Sequence, residues 1–305
     1  MKLSFVIPVF RNAGSLFPTY EKLAALFQRL QMPYELIFVN DGSDDNSLEE
    51  LLALQDRDAA VRIISFSRNF GQVAAVVAGL KEVAGDAAVV MSADLQEPVE
   101  LIADMVTKWK EGNEIVIGHR VDREDGFIAN TASVIFYKLM KYVNPKMPKG
   151  GFDFMLLDKK AVSVLNAIDE RNRFFQGDIL WLGFSTAFIP YNRLKRTIGR
   201  SQWTLSKKLK YFIDGLLNTS YIPIRLMSLM GICFSLIGFL YAVIIAYNRF
   251  MHNTPFTGWA PIMITMLIIG GLIMLMLGII GEYVWRTYDE TRKRPLYIIK
   301  EKYSK

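Results

Sequence analysis

Short, almost wholly apolar runs alternate with stretches at helical spacing through the first 120 residues of this chain. The apolar runs are residues 3–9, 35–39, 61–66, 87–91 and 114–117. Runs of that length without polar alternation predict strands buried on both faces. Between them, residues 15–30 place Leu16, Tyr20, Leu23, Leu26, Phe27 and Leu30 on one helical stripe. Residues 47–54, 72–83 and 98–109 read as further helices. Strands and helices in this alternation predict an α/β domain with a mostly parallel, doubly wound sheet. The later pattern predicts a helix over 129–142, a strand over 152–157, a helix over 159–168 and a strand over 185–190.

The pattern changes after residue 200. Residues 203–217 set Leu205, Leu209, Phe212, Ile213, Leu216 and Leu217 to one side and Lys207, Lys208 and Lys210 elsewhere. That amphipathic stretch suits a helix lying in a membrane interface. Two uncharged runs of 22 residues follow, 226–247 and 260–281. A helix of that length spans roughly 33 Å, enough for a bilayer core of about 30 Å. The expected organisation is a soluble domain (1–200), an amphipathic juxtamembrane segment (201–222), a two-helix hairpin (223–285) and a basic tail (286–305).

Charge gives the hairpin a direction. The formal net charge is +6. Lys207, Lys208, Lys210 and Arg225 precede the first span, and Arg286, Arg292, Lys293, Arg294, Lys300, Lys302 and Lys305 follow the second. The loop between carries only Arg249 and His252. Basic flanks stay on the cytoplasmic side, so both termini of a multi-pass membrane protein are expected there, with the loop on the far side. Charge that hugs the spans argues against nucleic acid as a partner. Trp203, Trp259 and Trp285 fit an interfacial aromatic belt, whereas Trp181 is expected in the core or packed on an acceptor loop. Gly270, Gly271 and Gly278 would permit close helix contact within the hairpin or between the subunits of a homo-oligomer. The single cysteine, Cys233, lies in the first span, so no disulfide framework forms within the chain. Residues 3–9 are too short for a signal-peptide core and suit a first strand.

Ligands of open parallel sheets sit beyond the carboxyl ends of the strands. Five strand ends here deliver polar side chains: Arg11-Asn12, Asn40-Asp41-Gly42-Ser43, Ser67-Arg68-Asn69, Ser92-Ala93-Asp94-Leu95-Gln96 and His119-Arg120. Acceptors for base and ribose beside cations for phosphate suit a nucleoside diphosphate. Asn-Asp-Gly-Ser by itself is a turn as readily as a site. In an extended segment, positions 92, 94 and 96 share one side. Asp94 and the amide oxygen of Gln96 are therefore candidate ligands for Mg²⁺ or Mn²⁺, with a helix cap as the alternative role of Asp94.

These residues resemble a family. The carriers are Asn40-Asp41-Gly42-Ser43 with Asp45, Ser67 to Gly71, Asp94 to Pro98, Asp153-Phe154, Arg173-Phe174, Arg193, Arg196, Gly199, Ser201, Gly281-Glu282-Tyr283 and Arg294-Pro295. The chain resembles the GT-A-fold, family-2 glycosyltransferases that act on polyprenyl phosphates, such as bactoprenol glucosyltransferases and dolichol-phosphate mannose synthases. The resemblance implies transfer of one hexose from a UDP-sugar to undecaprenyl phosphate, with inversion. It places the nucleotide against Pro8, Val9, Phe10, Asp41, Arg68, Ser92, Ala93, Asp94 and Arg120, with Asp41 on the uracil and Arg120 at the diphosphate. The metal falls to Asp94 and Gln96. Catalytic roles fall to Asp94, Asp153 and Arg120. The acceptor phosphate falls to Arg193, Arg196, Arg200 and Ser201. Four departures stand out: Arg11-Asn12 replaces Asn-Glu, Ser92 replaces an Asp, Met155 replaces an Arg, and Gln202 replaces a basic residue. The new Arg11 is a candidate to offset lost metal charge or a sign of a different donor.

The expected chemistry needs little machinery. A phosphomonoester with a second pKa of about 6 is already a nucleophile at neutral pH. The site must neutralise the leaving group and align the reactants, which fits a chain with only two histidines, His119 and His252. Two other classes are a non-catalytic nucleotide-sugar-binding scaffold and a processive polysaccharide synthase. Two spans are few for a polymer channel.

Overall fold

A computed structural model describes residues 1–121, 141, 145–148, 151–194, 215, 222–252 and 258–304. The chain divides into two compact units, Met1–Gly215 with Pro295–Lys305, and Leu216–Arg294.

The first unit is built in the order β1 (Leu3–Val9), α1 (Leu16–Leu30), β2 (Tyr34–Asn40), α2 (Ser47–Arg57), β3 (Val61–Phe66), α3 (Gln72–Lys81), β4 (Ala87–Val90), α4 (Leu101–Lys110) and β5 (Ile115–Arg120). It continues with β6 (Phe154–Asp158), α5 (Lys159–Ala167), α6 (Phe175–Trp181) and β7 (Thr186–Tyr191), and closes with β8 (Ile299–Tyr303). The sheet order is β7-β5-β6-β4-β1-β2-β3-β8. Pairs β1–β2, β1–β4, β2–β3 and β5–β7 are parallel. β6 runs antiparallel between β4 and β5, and β8 runs antiparallel on the outer edge of β3. The predicted mostly parallel sheet is therefore present.

Burial explains the uninterrupted apolar strands. Leu3, Phe5, Ile7 and Val9 of β1 face Leu16, Leu23 and Phe27 of α1 and share a core with Leu51 and Leu54 of α2. On the opposite face, Ile37, Val39, Ile64 and Phe66 pack on Ala74, Ala75 and Ala78 of α3. Each fully buried large side chain contributes about 1.5–3 kcal/mol. Small residues let α3 lie close to the sheet; a Cβ at Gly79 would collide with the Val6 side chain. α5 starts where Asp158 accepts a hydrogen bond from the Lys160 amide at 2.9 Å, an N-cap interaction.

Three features depart from the sequence pattern. β5 runs on through Gly118, His119 and Arg120, so these residues lie within the strand. α6 and β8 lack the apolar spacing that would announce them. β8 reads Ile-Lys-Glu-Lys-Tyr, the charge-rich composition of an exposed edge. Trp181 is 75% exposed and not in the core. The helix expected over 129–142 and the amphipathic stretch 203–217 fall outside the described residues, apart from helical positions 141 and 215.

The second unit holds α7 (Ile222–His252) and α8 (Trp259–Thr291). Their apolar segments, Ile224–Ile245 and Ile262–Thr291, have mean hydropathy 2.3 and 2.7, and neither is buried within the protein. Helices this long and apolar associate with a membrane. A Cβ added at Gly270, Gly271 or Gly278 would meet no described atom within 4 Å. Among the described residues those glycines make no close contact within the hairpin.

Candidate active site

The carboxyl ends of β1–β4 come out along one edge of the sheet, and the loops that follow them are tied to one another. At the end of β2, Asn40 accepts from the Ser43 amide at 3.1 Å and donates to Ser65 Oγ at 3.2 Å. Asp41 is buried, and its carboxylate accepts from the amides of Phe70 (2.6 Å) and Gly71 (2.9 Å). Asp41 thus clamps the loop after β3. Gly42 has φ +64° and lies against the Arg68 backbone, where a Cβ has no room. Arg68 itself is exposed and lays its guanidinium 4.1 Å from the centre of the Phe70 ring.

Arg11 is exposed and engaged with a neighbouring carboxylate. Its Nε and Nη2 each donate to the Asp44 carboxylate at 2.6 Å, a bidentate surface pair. The idea that Arg11 offsets lost metal charge is corrected by that pairing. Pro8, Val9 and Phe10 lie at the end of β1, where the Phe10 amide donates to Asn12 Oδ1 at 2.9 Å.

The end of β4 carries the densest cluster. The Ala93 carbonyl accepts from Ser15 Oγ at 2.8 Å and Thr19 Oγ1 at 3.2 Å, which fixes the turn against α1. Leu95 then takes φ 57°, turning the chain sharply after Asp94. Ser92 Oγ lies 2.7 Å from Asp94 Oδ1 and also hydrogen-bonds Glu97 Oε2. The Gln96 amide donates to the same Asp94 oxygen at 3.2 Å. Asp94, Gln96 and Glu97 are all buried.

Two further strands bring cations to this cluster. Arg120 at the end of β5 donates from Nη2 to Asp153 Oδ2 at 3.0 Å. Gln176 of α6 approaches Asp153 Oδ1 from Nε2 at 3.4 Å while also donating to the Phe152 carbonyl at 2.6 Å. Beyond β7, Arg193 Nη2 donates to Gln96 Oε1, and Gln96 Nε2 donates to the Leu194 carbonyl at 3.3 Å. The Leu194 amide donates back to the Gln96 carbonyl at 3.0 Å.

The electrostatics follow from burial among mixed charges. Burial, and next the Asp94 charge, raise the Glu97 carboxyl above its ordinary range. Burial and then Arg120 lower Arg193. Tyr191 is pushed up to about 12 by burial and the nearby Glu97. For Arg120, burial opposes the charge, but Asp153, Tyr191 and Glu97 together hold its proton more tightly than usual.

The structure thus brings Ser92, Asp94, Gln96, Arg120, Asp153 and Arg193 into one neighbourhood, with Asp41 and Arg68 on the adjoining loops. Arg196, Arg200 and Ser201 lie outside the described residues. Glu97, Gln176 and Tyr191 escaped the sequence reading. Glu97 had a legible signal, an acid next to Gln96 in the strand-end motif; the other two were hidden in elements whose pairing the sequence does not state.

A mostly parallel sheet with an antiparallel strand inserted between β4 and β5 thus gathers Asp94, Arg120 and Asp153 at one edge. The chain belongs to glycosyl transferase family 2, whose model matches residues 4–165. It is 38% identical over 99% of its length to an uncharacterized glycosyltransferase of Bacillus subtilis, covering 94% of that protein. It is 34% identical over 98% of its length to a prophage bactoprenol glucosyl transferase homolog of Escherichia coli, covering 99% of it. The bactoprenol glucosyl transferase of Shigella phage SfV is likewise 34% identical, with 100% of both chains covered.

Proposed function

We propose that this glycosyltransferase moves a single hexose, such as glucose, from a UDP-sugar to undecaprenyl phosphate at the cytosolic face of the bacterial inner membrane. The observation that carries this reading is one chain joining a polar strand-end site to two bilayer-length apolar helices. Likeness to bactoprenol glucosyl transferases runs the length of that combination. The lipid-linked sugar would then serve as donor for cell-envelope glycan modification.

In this reaction an acceptor phosphate oxygen attacks the anomeric carbon and the bond to UDP breaks, with UDP leaving with the electron pair. Attack opposite the leaving group turns an α-linked donor into a β-linked product. Pro8, Val9, Phe10, Asp41, Arg68, Ser92 and Ala93 form the nucleotide side. Asp41 does so by holding residues 70 and 71 in place. Arg120, largely enclosed and fixed by Asp153, faces the diphosphate. Asp153 keeps an accessible side, at 42% side-chain exposure, for a sugar hydroxyl or the acceptor. Arg193, with Arg196, Arg200 and Ser201, receives the lipid phosphate.

The donor set at the end of β4 fits a hard divalent cation. The Asp94 carboxylate and the Gln96 amide oxygen would hold it, and a nucleotide diphosphate would complete such a shell. Among the described residues no group of three His, Cys, Asp or Glu could hold a metal alone, in keeping with a site completed by substrate. Bound Mg²⁺ or Mn²⁺ supplies charge for the departing diphosphate.

The membrane arrangement rests on chain connectivity. β1 to β7 and β8 share one sheet, and two apolar helices lie between β7 and β8 in sequence. An even number of crossings returns the chain to the side it left, and the basic flanks make that side cytosolic. Membranes carrying the protein, supplied with a panel of UDP-sugars and undecaprenyl phosphate, test the reading by mass spectrometry of the lipid product. One added hexose supports it. A polymer, or no product with any donor, overturns it.

A further inference from the structure

The C-terminal segment does more than follow the last helix; it is built into the nucleotide side of the sheet. β8 pairs with β3 in the register Ile64 to Lys302, Ser65 to Glu301 and Phe66 to Ile299, with an irregularity between Ser65 and Phe66. One step further along, the Ser67 amide donates to the Ile298 carbonyl at 3.1 Å. The Tyr297 ring stacks on Phe66, with centroids 5.0 Å apart and planes 10° apart. Phe66 in turn meets Phe70 edge to face at 5.8 Å. Lys81 reaches over the Tyr297 ring at 5.9 Å, and Lys302 pairs with Glu82 at 2.6 Å.

These contacts converge on residues 67–71. The loop is held at its start by Ile298 and through its aromatic side chain by the Phe66–Tyr297 stack. Its far end is held by the Asp41 carboxylate. Arg68 lies between these anchors, over Phe70. We propose that Tyr297 and Ile298 are positioning residues for the donor nucleotide, acting through the loop that carries Arg68. The proposal rests on the strand-end site being the donor site. It makes the chain beyond the second apolar helix a working part of the catalytic domain, with no contact to the donor itself.

The test uses the full-length protein in detergent and two readouts. These are the Kd for UDP with Mn²⁺, and hydrogen exchange at the Phe70 and Gly71 amides. Loss of one aromatic stack predicts that Tyr297→Ala raises the Kd about tenfold. Exchange at both amides should quicken in step, and Tyr297→Phe, which keeps the ring, should restore both values. Tyr34→Ala serves as the control for general destabilisation. Tyr34 stacks on Phe27 at 3.8 Å and donates to Asp58 at 2.8 Å, at the opposite end of the strands. It should lower the melting temperature and leave Kd and loop exchange unchanged. Wild-type Kd and exchange in Tyr297→Ala overturn the proposal, as does an equal rise in Kd from Tyr34→Ala. If the wild type binds no UDP while loop exchange still answers to Tyr297, the loop-holding role stands and the donor reading falls.

Discussion

Arg193 and Gln96 are hydrogen-bonded to each other although they stand 97 positions apart in the chain. The bond joins the residue assigned to the acceptor phosphate to a residue assigned to the metal. Their backbones reinforce it, because the Leu194 amide donates to the Gln96 carbonyl at 3.0 Å. A guanidinium and a divalent cation want the same amide oxygen. Filling the donor site should therefore free Arg193 for the second substrate.

The first prediction follows from that competition. Arg193→Ala should lower kcat/KM for the lipid phosphate about 10- to 100-fold, the scale of a lost hydrogen bond to a charged group. Mn²⁺ affinity in the presence of UDP should not weaken, because Gln96 loses only a competitor. Steady-state kinetics and a Mn²⁺ titration by electron paramagnetic resonance read the two effects. Equal loss in both would mean that Arg193 supports the donor site instead.

Asp94 carries the second prediction. It is buried, and its Oδ1 already receives Ser92 Oγ and the Gln96 amide. Asp94→Asn keeps the volume and removes the charge, so folding should survive while transfer falls by a factor of about 100 or more. Chelation by EDTA should stop the wild-type reaction, and Mn²⁺ or Mg²⁺ should restore it. Undiminished turnover in Asp94→Asn would remove the metal role of this residue.

Ser92 gives the third prediction, in which the expected direction is counterintuitive. The position resembles one that holds an Asp, so Ser92→Asp looks like a repair. In this structure the Ser92 hydroxyl sits between the carboxyl groups of Asp94 and Glu97. A third carboxylate there faces two others in a buried pocket, which costs about 2–4 kcal/mol. The melting temperature of Ser92→Asp should fall, and Glu97→Gln added to it should recover much of the loss. A stable Ser92→Asp single variant would show that the pocket relaxes around the added charge.

How far the sequence speaks is clear from particular elements. β1 to β4 are buried on both faces, so their apolar runs betray them, and the residues just past them lead to Asp41, Arg68 and Asp94 without further information. The two apolar helices are equally plain, because their length and unbroken apolar composition suit a bilayer. β8 is different: Ile299 and Tyr303 are its only apolar residues, and its pairing with β3 is fixed by a partner more than 230 positions away. The Arg11–Asp44 pair and the Asp41 clamp are invisible for the same reason. Residue types told that these side chains are polar and where they lie along the chain; only the fold told which of them are already engaged with one another.

Glu35 supplies a last prediction, on stability and away from the site. Its side chain is 5% exposed and accepts from Lys2 Nζ at 2.9 Å, Ser4 Oγ and the Ala84 amide at 2.7 Å. Burial opposes its charge, but these donors outweigh burial and hold the carboxyl below its ordinary value. A depressed folded-state pKa gives a contribution that is complete above the unfolded value of about 4.3 and fades as pH falls through the lower folded value. The wild-type melting temperature should therefore drop as pH falls below the unfolded value of about 4.3, in part through this group. Glu35→Gln should be less stable at pH 7 by about 2 kcal/mol, because Lys2 loses its charged partner and one acceptor becomes a donor. Its acid limb should be flatter, so the two stability curves converge at low pH. Parallel curves from pH 7 down to pH 3 would show that Glu35 titrates alike in the folded and unfolded chain.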